Sequence, residues 1–285
     1  MSIKNNMQQT AFSLLSKLAP GMAGKIIFKS SFKTKRYPLP IKEMELAKKA
    51  THKQLTAKGK ETIQIYEWGS GPIALLVHGW NGRGTQFHSV VDWLVAAGYK
   101  AVAFDAPGHG LSSGLESDIP SFARAILAIG IEYGVVDLAI SHSAGGLALG
   151  KAIEDGFKSA NVALICPPES LKSALNSILD GFSLAEPARI VYLKLCEGRL
   201  GAGVWEKFDF SRFGGHLSGL NNVIVVHDTD DREVPWKEGE AVSRYIDGAQ
   251  LFSTHGLGHR RLLRSEALLE LFTPHLTKNL IQDAI

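Results

Sequence analysis

The segment Ser141-His142-Ser143-Ala144-Gly145-Gly146 follows the apolar run Val136-Asp137-Leu138-Ala139-Ile140 and leads into Leu147-Ala148-Leu149-Gly150-Lys151-Ala152, which has helical spacing. This reads as a strand, a tight turn and a helix, with a serine at the apex. A turn this sharp brings the backbones two positions before and after the apex close together, so both positions need small residues; Ser141 and Gly145 meet that need. A serine at a helix N-terminus faces unpaired backbone N–H groups that favour developing negative charge. Ser143 is therefore the candidate nucleophile, and Ser141, nearer the strand, is its competitor. A hydroxyl is a weak nucleophile at neutral pH, so it needs a base, and the base needs a partner that fixes its tautomer. Two late segments offer these groups. His227-Asp228-Thr229-Asp230-Asp231-Arg232-Glu233-Val234-Pro235 supplies three candidate acids, Asp228, Asp230 and Asp231, and His255-Gly256-Leu257-Gly258-His259-Arg260 supplies two candidate bases, His255 and His259.

The elbow resembles the G-x-S-x-G turn of the α/β-hydrolase family, with Ser141 in place of the first glycine. Further motifs follow the family's order, so the resemblance spans most of residues 61–285. His78-Gly79-Trp80-Asn81-Gly82 is similar to the oxyanion loop, and Asp105-Ala106-Pro107-Gly108-His109-Gly110-Leu111-Ser112 is similar to the D-x-P-G-H-G-x-S turn. The resemblance implies that the backbone N–H groups of Trp80 and Ala144 bind the oxyanion, while His78, Gly79 and His142 shape the pocket. A carboxylate three residues before Val-Pro selects Asp231, and the G-x-G-H loop selects His259. The order Ser143, Asp231, His259 is the one this fold uses. The implied activity is cleavage of a carboxylic ester, thioester or related acyl compound through an acyl-enzyme. Acyl transfer on the same machinery and a non-catalytic binding role are the alternatives.

Other chemistries find little footing. There is no H-E-x-x-H motif, and the pair His227-Asp228 has no helical or cysteine companion at ligand spacing, so no metal is expected. No G-x-G-x-x-G opens a helix after the first core strand, and no cofactor is expected. Cys166 and Cys196 are too few and too isolated for a disulfide framework, which suits a reducing compartment. With no secretory pattern and no apolar run of membrane-spanning length, the expected location is cytoplasmic.

The elements that must position these residues follow from composition and periodicity. At 45% hydrophobic and 21% charged residues, the 285-residue chain can bury a sizeable core. Its net charge of +3 conceals an asymmetry: residues 1–60 hold thirteen Lys or Arg against Glu43 and Glu45, a balance of +11, and the remainder carries −8. A basic cleft for nucleic acid is thus not expected. The arm offers a surface for peripheral membrane contact, or a helix packed on the body, and should matter to stability or localisation more than to chemistry. In that arm the spacing predicts an amphipathic helix over 7–18, with Met7, Ala11, Leu14, Leu15 and Leu18 on one face, ended by Pro20-Gly21. An extended connector at Tyr37-Pro38-Leu39-Pro40 and a second helix over 41–57 follow.

From residue 61 short apolar runs alternate with helical patterns, which predicts an α/β fold with a mostly parallel central sheet flanked by helices. Expected strands are 61–67, 73–77, 100–104, 136–141, 161–165, 222–226 and 249–253. Expected helices are 85–97, 119–133, 145–156, 236–246 and 264–280. The domain reading is an N-terminal helical extension over 1–60, a core made of 61–167 and 221–285, and a helical cap over 168–220, a connection far longer than the usual two to six residues. The stripe Leu171, Leu175, Ile178, Leu179 and Phe182 marks one cap helix. Such a cap would set which small-molecule acyl substrate enters.

Overall fold

The computed structural model describes residues 3–56 and 61–276. Helices α1 (Ile3–Leu18), α2 (Pro20–Ser31) and α3 (Ile41–Lys49) precede strands β1 (Thr51–Thr56), β2 (Thr62–Trp68) and β3 (Ile73–Val77). A 3₁₀ turn, Gly84–Phe87, opens α4 (His88–Ala96), and then come β4 (Lys100–Asp105), α5 (Ile119–Tyr133), β5 (Val136–His142), α6 (Ala144–Glu154) and β6 (Ser159–Ile165). The long connection that follows folds as α7 (Leu171–Gly181), α8 (Glu186–Leu200), α9 (Val204–Lys207) and α10 (Phe210–Leu217). The chain continues through β7 (Asn222–Asp228), α11 (Trp236–Arg244), β8 (Gln250–Thr254), α12 (Gly258–Arg261), a 3₁₀ turn at Leu262–Arg264 and α13 (Glu266–Leu276).

The eight strands form one sheet in the order β1-β2-β4-β3-β5-β6-β7-β8. Strand β2 runs antiparallel to β1 and β4, and every pairing from β4 to β8 is parallel. Parallel strands joined by helices are covered on both faces, which is why β3, β5 and β7 read as nearly continuous apolar runs. Alternate side chains divide between two cores. Ile65, Leu75, Val77 and Phe104 meet α5, α6, α10 and α11 on one face. Tyr66, Leu76, Ala103 and Ile140 meet α3, α4 and α13 on the other. The carboxyl ends of β3, β5, β7 and β8 therefore open onto one edge of the sheet, where ligands bind in open α/β sheets.

The structure corrects the reading of the arm in two places. Pro20 does not stop the first helix and leave a loop; Ala19 is the break, and Pro20 opens α2 at its first turn, where a missing N–H costs nothing. Of the expected stripe on α1, Met7 and Ala11 lie outside the described side chains, and Leu14 and Leu18 are exposed. The helix expected over 41–57 ends at Lys49. Ala50 turns to extended geometry, and residues 51–56 form edge strand β1. That strand pairs with β2 in the register Lys53↔Ile65, with Lys53 Nζ 3.1 Å from Glu67 Oε1. Almost every residue of β1 is exposed, so it carries no apolar alternation to betray it. The expected final helix begins later, at Glu266, and its residues beyond 276 lie outside the described part.

The inserted helices divide in their packing. Phe210, Phe213 and Leu217 of α10 bury in the same core as α6, and a Cβ at Gly150 would stand 2.2 Å from the Phe213 ring. Helix α8 instead packs on α2 around Ala23, Ile27, Ala188 and Tyr192, a small separate core. Gly24 permits this approach, because a Cβ there would lie 2.9 Å from the Ala188 carbonyl oxygen. On α7, Leu171 and Leu179 are buried, whereas Ile178 and Phe182 of the expected stripe are about half exposed.

Candidate active site

Ser143 sits between β5 and α6 with φ 54° and ψ −130°, a conformation that costs a non-glycine residue of order 1–3 kcal/mol and persists only where its surroundings enforce it. The enforcement is visible. A Cβ at Gly145 would stand 2.6 Å from the His78 carbonyl oxygen and 2.8 Å from that of Val77, so only glycine lets the start of α6 lie against β3. On the other side Gly79 faces the serine, and a Cβ there would fall 2.9 Å from Ser143 Cβ. Ser141, the competitor, is fully buried within β5, whereas Ser143 lines a cavity of about 580 Å³.

The acid and base loops meet beside this turn. His259 Nδ1 is 2.6 Å from Asp231 Oδ2. An ionised carboxylate only accepts, so Nδ1 is the donor, and in the neutral ring Nε2 carries the lone pair. The other oxygen, Oδ1, accepts from the backbone N–H groups of Glu233 and Val234 at 2.8 and 2.9 Å. Burial opposes ionisation of Asp231, but hydrogen bonds from His227 and His259, the charge of His259 and the Val234 amide outweigh it and hold the group far below the usual carboxylate range. The other candidate acids are committed to the turn. Asp228 accepts from Asp230 N, Thr254 Oγ1 and Leu257 N, and Asp230 accepts from Gly256 N. His255 bonds Thr229 Oγ1 at the surface. Ser143 and His259 line the same cavity, and among the described residues no hydrogen bond joins their side chains. Such bonds are commonly long before substrate is bound.

The loop Gly79–Gly82 lies across the turn and brings Trp80 to the cavity. His78 anchors it from beneath. Its Nε2 accepts from Ala106 N at 2.9 Å, so Nδ1 is the donor to the Gly79 carbonyl at 2.7 Å, and the ring is neutral with both nitrogens used. Burial pushes His78 down to about 4; the Gly79 bond opposes this and the charge of Arg83 adds to it. His109 braces the same loop by accepting from Asn81 N at 3.1 Å, and burial, followed by the nearby His78, takes it to about 3. The Asp105 carboxylate gathers Gly84 N, Leu111 N and Tyr66 Oη, which fixes the turn after β4. Ala144 is the first residue of α6, so its N–H has no acceptor within the helix.

Three residues carry roles that motif reading did not reveal. His142 is more than a pocket wall: its Nε2–H donates to the backbone carbonyl of His259 at 2.9 Å and ties the serine turn directly to the base loop. Burial, then the neighbouring His259, drives His142 well below its ordinary range and keeps it neutral. His227, completely buried at the end of β7, places Nε2 3.0 Å from the Val234 carbonyl and 3.4 Å from Asp231 Oδ2. Cys166, with φ 48°, is the cysteine neighbour that the sequence did not show beside this histidine. Its sulfur, His227 and Asp231 have ligand atoms within 4.8 Å of one another. Burial and the charge of Asp231 raise the thiol well above its ordinary range, so it stays protonated. His227 and Cys166 thus pack behind the carboxylate that faces His259. The only sequence signal for this packing was a histidine ending a buried strand.

The comparisons with known proteins agree with this architecture. A family model described as "Serine aminopeptidase, S33" matches residues 72–131, which run from β3 through the loop and turn to α5. A non-heme haloperoxidase from Rhodococcus erythropolis is 24% identical over 251 residues, covering 72% of this chain and 92% of that protein. Among solved structures, a bromoperoxidase from Bacillus anthracis superimposes with a TM-score of 0.59 at 18% identity, over 79% of this chain and 99% of that one. An esterase from Pyrococcus furiosus does so with a TM-score of 0.62 at 14% identity, over 85% and 99%.

Proposed function

Taking as premise that the chain has the α/β-hydrolase fold, we propose that it is a serine hydrolase that cleaves a carboxylic ester or related acyl compound through Ser143, His259 and Asp231. The observation that carries this reading is the 2.6 Å Asp231–His259 bond set beside a strained serine turn in one cavity. Ser143 Oγ attacks the acyl carbon while His259 Nε2 takes its proton. The oxyanion is held by the N–H groups of Trp80 and Ala144, each such donor contributing about 3–4 kcal/mol of transition-state stabilisation. His259 then gives the proton to the leaving alcohol, and Asp231 stabilises the imidazolium throughout. Water, deprotonated by the same imidazole, releases the acyl group and restores Ser143.

The test is a panel of p-nitrophenyl esters of graded acyl length, run with the wild type and Ser143→Ala. Turnover that disappears in the variant supports the reading. Undiminished turnover sinks it.

A further inference from the structure

The arm does not end as an appendage. Between α2 and α3 it crosses the rim of the cavity as an extended strap, held by hydrogen bonds from Phe32 to Tyr37. Ser117 N donates to the Phe32 carbonyl at 2.8 Å, and Thr34 N donates to that of Leu115 at 3.1 Å. Thr34 Oγ1 donates to the Gly108 carbonyl at 2.7 Å, and Arg36 Nη2 reaches the carbonyls of Ser112 and Gly114 at 2.7 and 2.9 Å. The strap is thus stitched onto the turn after β4.

Its next contacts fall on the proposed oxyanion loop. Lys35 N–H donates to Asn81 Oδ1 at 2.8 Å. Asn81, with φ 56°, immediately follows Trp80 and is held on its other side by His109. Arg83 Nη1 donates to the Tyr37 carbonyl at 3.0 Å, and its Nε meets Glu43 Oε2 at 2.6 Å, so the loop's far end grips both the strap and α3. Tyr37, Pro38 and Pro40 then line the cavity that holds Ser143, together with Glu233, Val234 and Arg260 of the two late loops. Two prolines give this wall a fixed φ and little freedom to yield.

We propose that residues 34–40 are a working wall of the active site: Tyr37, Pro38 and Pro40 set the bulk of the acyl or alkyl group admitted, and the Lys35–Asn81 bond positions the oxyanion loop. This rests on the Ser143 reading and deepens it. Tyr37 is the specificity-determining residue, since it lines the cavity and truncating its side chain leaves its carbonyl bonded to Arg83. Asn81 is a positioning residue that acts through Trp80. Asn81→Gly removes the acceptor for Lys35 while keeping a residue that adopts positive φ freely.

The experiment measures kcat and KM over the p-nitrophenyl ester series for wild type, Tyr37→Ala and Asn81→Gly. The same series is also titrated calorimetrically against the Ser143→Ala forms with and without Tyr37→Ala. Tyr37→Ala should shift the preference toward bulkier acyl groups by about tenfold in kcat/KM relative to the acetate ester, as expected where a pocket wall is removed. It should shift the order of affinities likewise in the Ser143→Ala background. Asn81→Gly should lower kcat by about tenfold with KM little changed, as for an interaction made in the transition state. An unchanged chain-length order in both rates and affinities overturns the wall, and an Asn81→Gly enzyme that loses thermal stability but keeps kcat overturns the positioning role. Because the affinities do not depend on turnover, a wild type without Ser143-dependent turnover contradicts the catalytic reading while the wall is still judged.

Discussion

Replacing Asp231 with asparagine tests the assignment of the acid at its most specific point. Two backbone N–H groups, of Glu233 and Val234, converge on Oδ1, so the asparagine oxygen must take that position. The amide NH2 is then forced onto the Oδ2 side, where it meets two donors, His259 Nδ1 at 2.6 Å and His227 Nε2 at 3.4 Å. Donor faces donor, and the relief available to His259 is to move its proton to Nε2. That tautomer presents a hydrogen to Ser143 in place of a lone pair, and the base is gone. A wrong tautomer of this kind lowers kcat by about 10⁴, equivalent to about 5 kcal/mol. The assay is initial-rate hydrolysis of p-nitrophenyl butyrate near pH 8, with the melting temperature as a check on folding. Asp228→Asn is the matched control. Its oxygens serve Asp230 N, Thr254 Oγ1 and Leu257 N, so it should lose about 1–3 kcal/mol of stability but less than tenfold in kcat. An Asp231→Asn enzyme within tenfold of wild type, or an Asp228→Asn enzyme equally impaired, would refute the reasoning.

Two further outcomes follow from the buried histidines. Folded His78 and His109 are held neutral to about 4 and about 3, whereas the unfolded chain takes up those protons below about pH 6.5. The unfolded state therefore binds more protons through this window, so stability should fall as pH drops from about 6.5 toward 4. Urea unfolding at a series of pH values measures this, and a midpoint constant down to pH 4.5 would contradict it. His227→Leu, which removes the donor to Val234 and Asp231, should lower kcat by about tenfold, since a bond to a charged group contributes about 1.5–3 kcal/mol. His227→Gln, able to donate from the equivalent position, should recover most of that loss, and equal kcat in the two variants would argue against a role through Asp231.

The parts of the site that could be read from sequence are those where backbone geometry dictates residue type. Ser143 stood out because its turn tolerates only small neighbours, and Gly145 proves to be pressed against two carbonyl groups of β3 and the loop beyond it. The strands at the centre of the sheet were legible because burial on both faces leaves continuous apolar runs. Edge strand β1 was not, since its residues face solvent on both sides and follow a helix without a turn signal. Helix α2 was hidden for a different reason: Pro20 marks an end or a beginning equally well, and Gly24 looks like a breaker until its approach to Ala188 is seen. Among the three neighbouring aspartates only resemblance favours Asp231 in the sequence; in the structure Asp231 faces His259 Nδ1 at 2.6 Å, whereas Asp228 faces Thr254 Oγ1 and the amides of Asp230 and Leu257. The strap was invisible because its link to Asn81 uses the backbone N–H of Lys35, 46 residues away in sequence, and a backbone donor imposes no residue type.

The central claim, that Ser143 is an activated nucleophile served by His259, is tested most directly by covalent labelling with a fluorophosphonate, followed by peptide mass spectrometry. The account predicts a single adduct on Ser143, absent in Ser143→Ala and formed far more slowly in His259→Ala. No adduct, an adduct on Ser141, or labelling at an undiminished rate without His259 would contradict it.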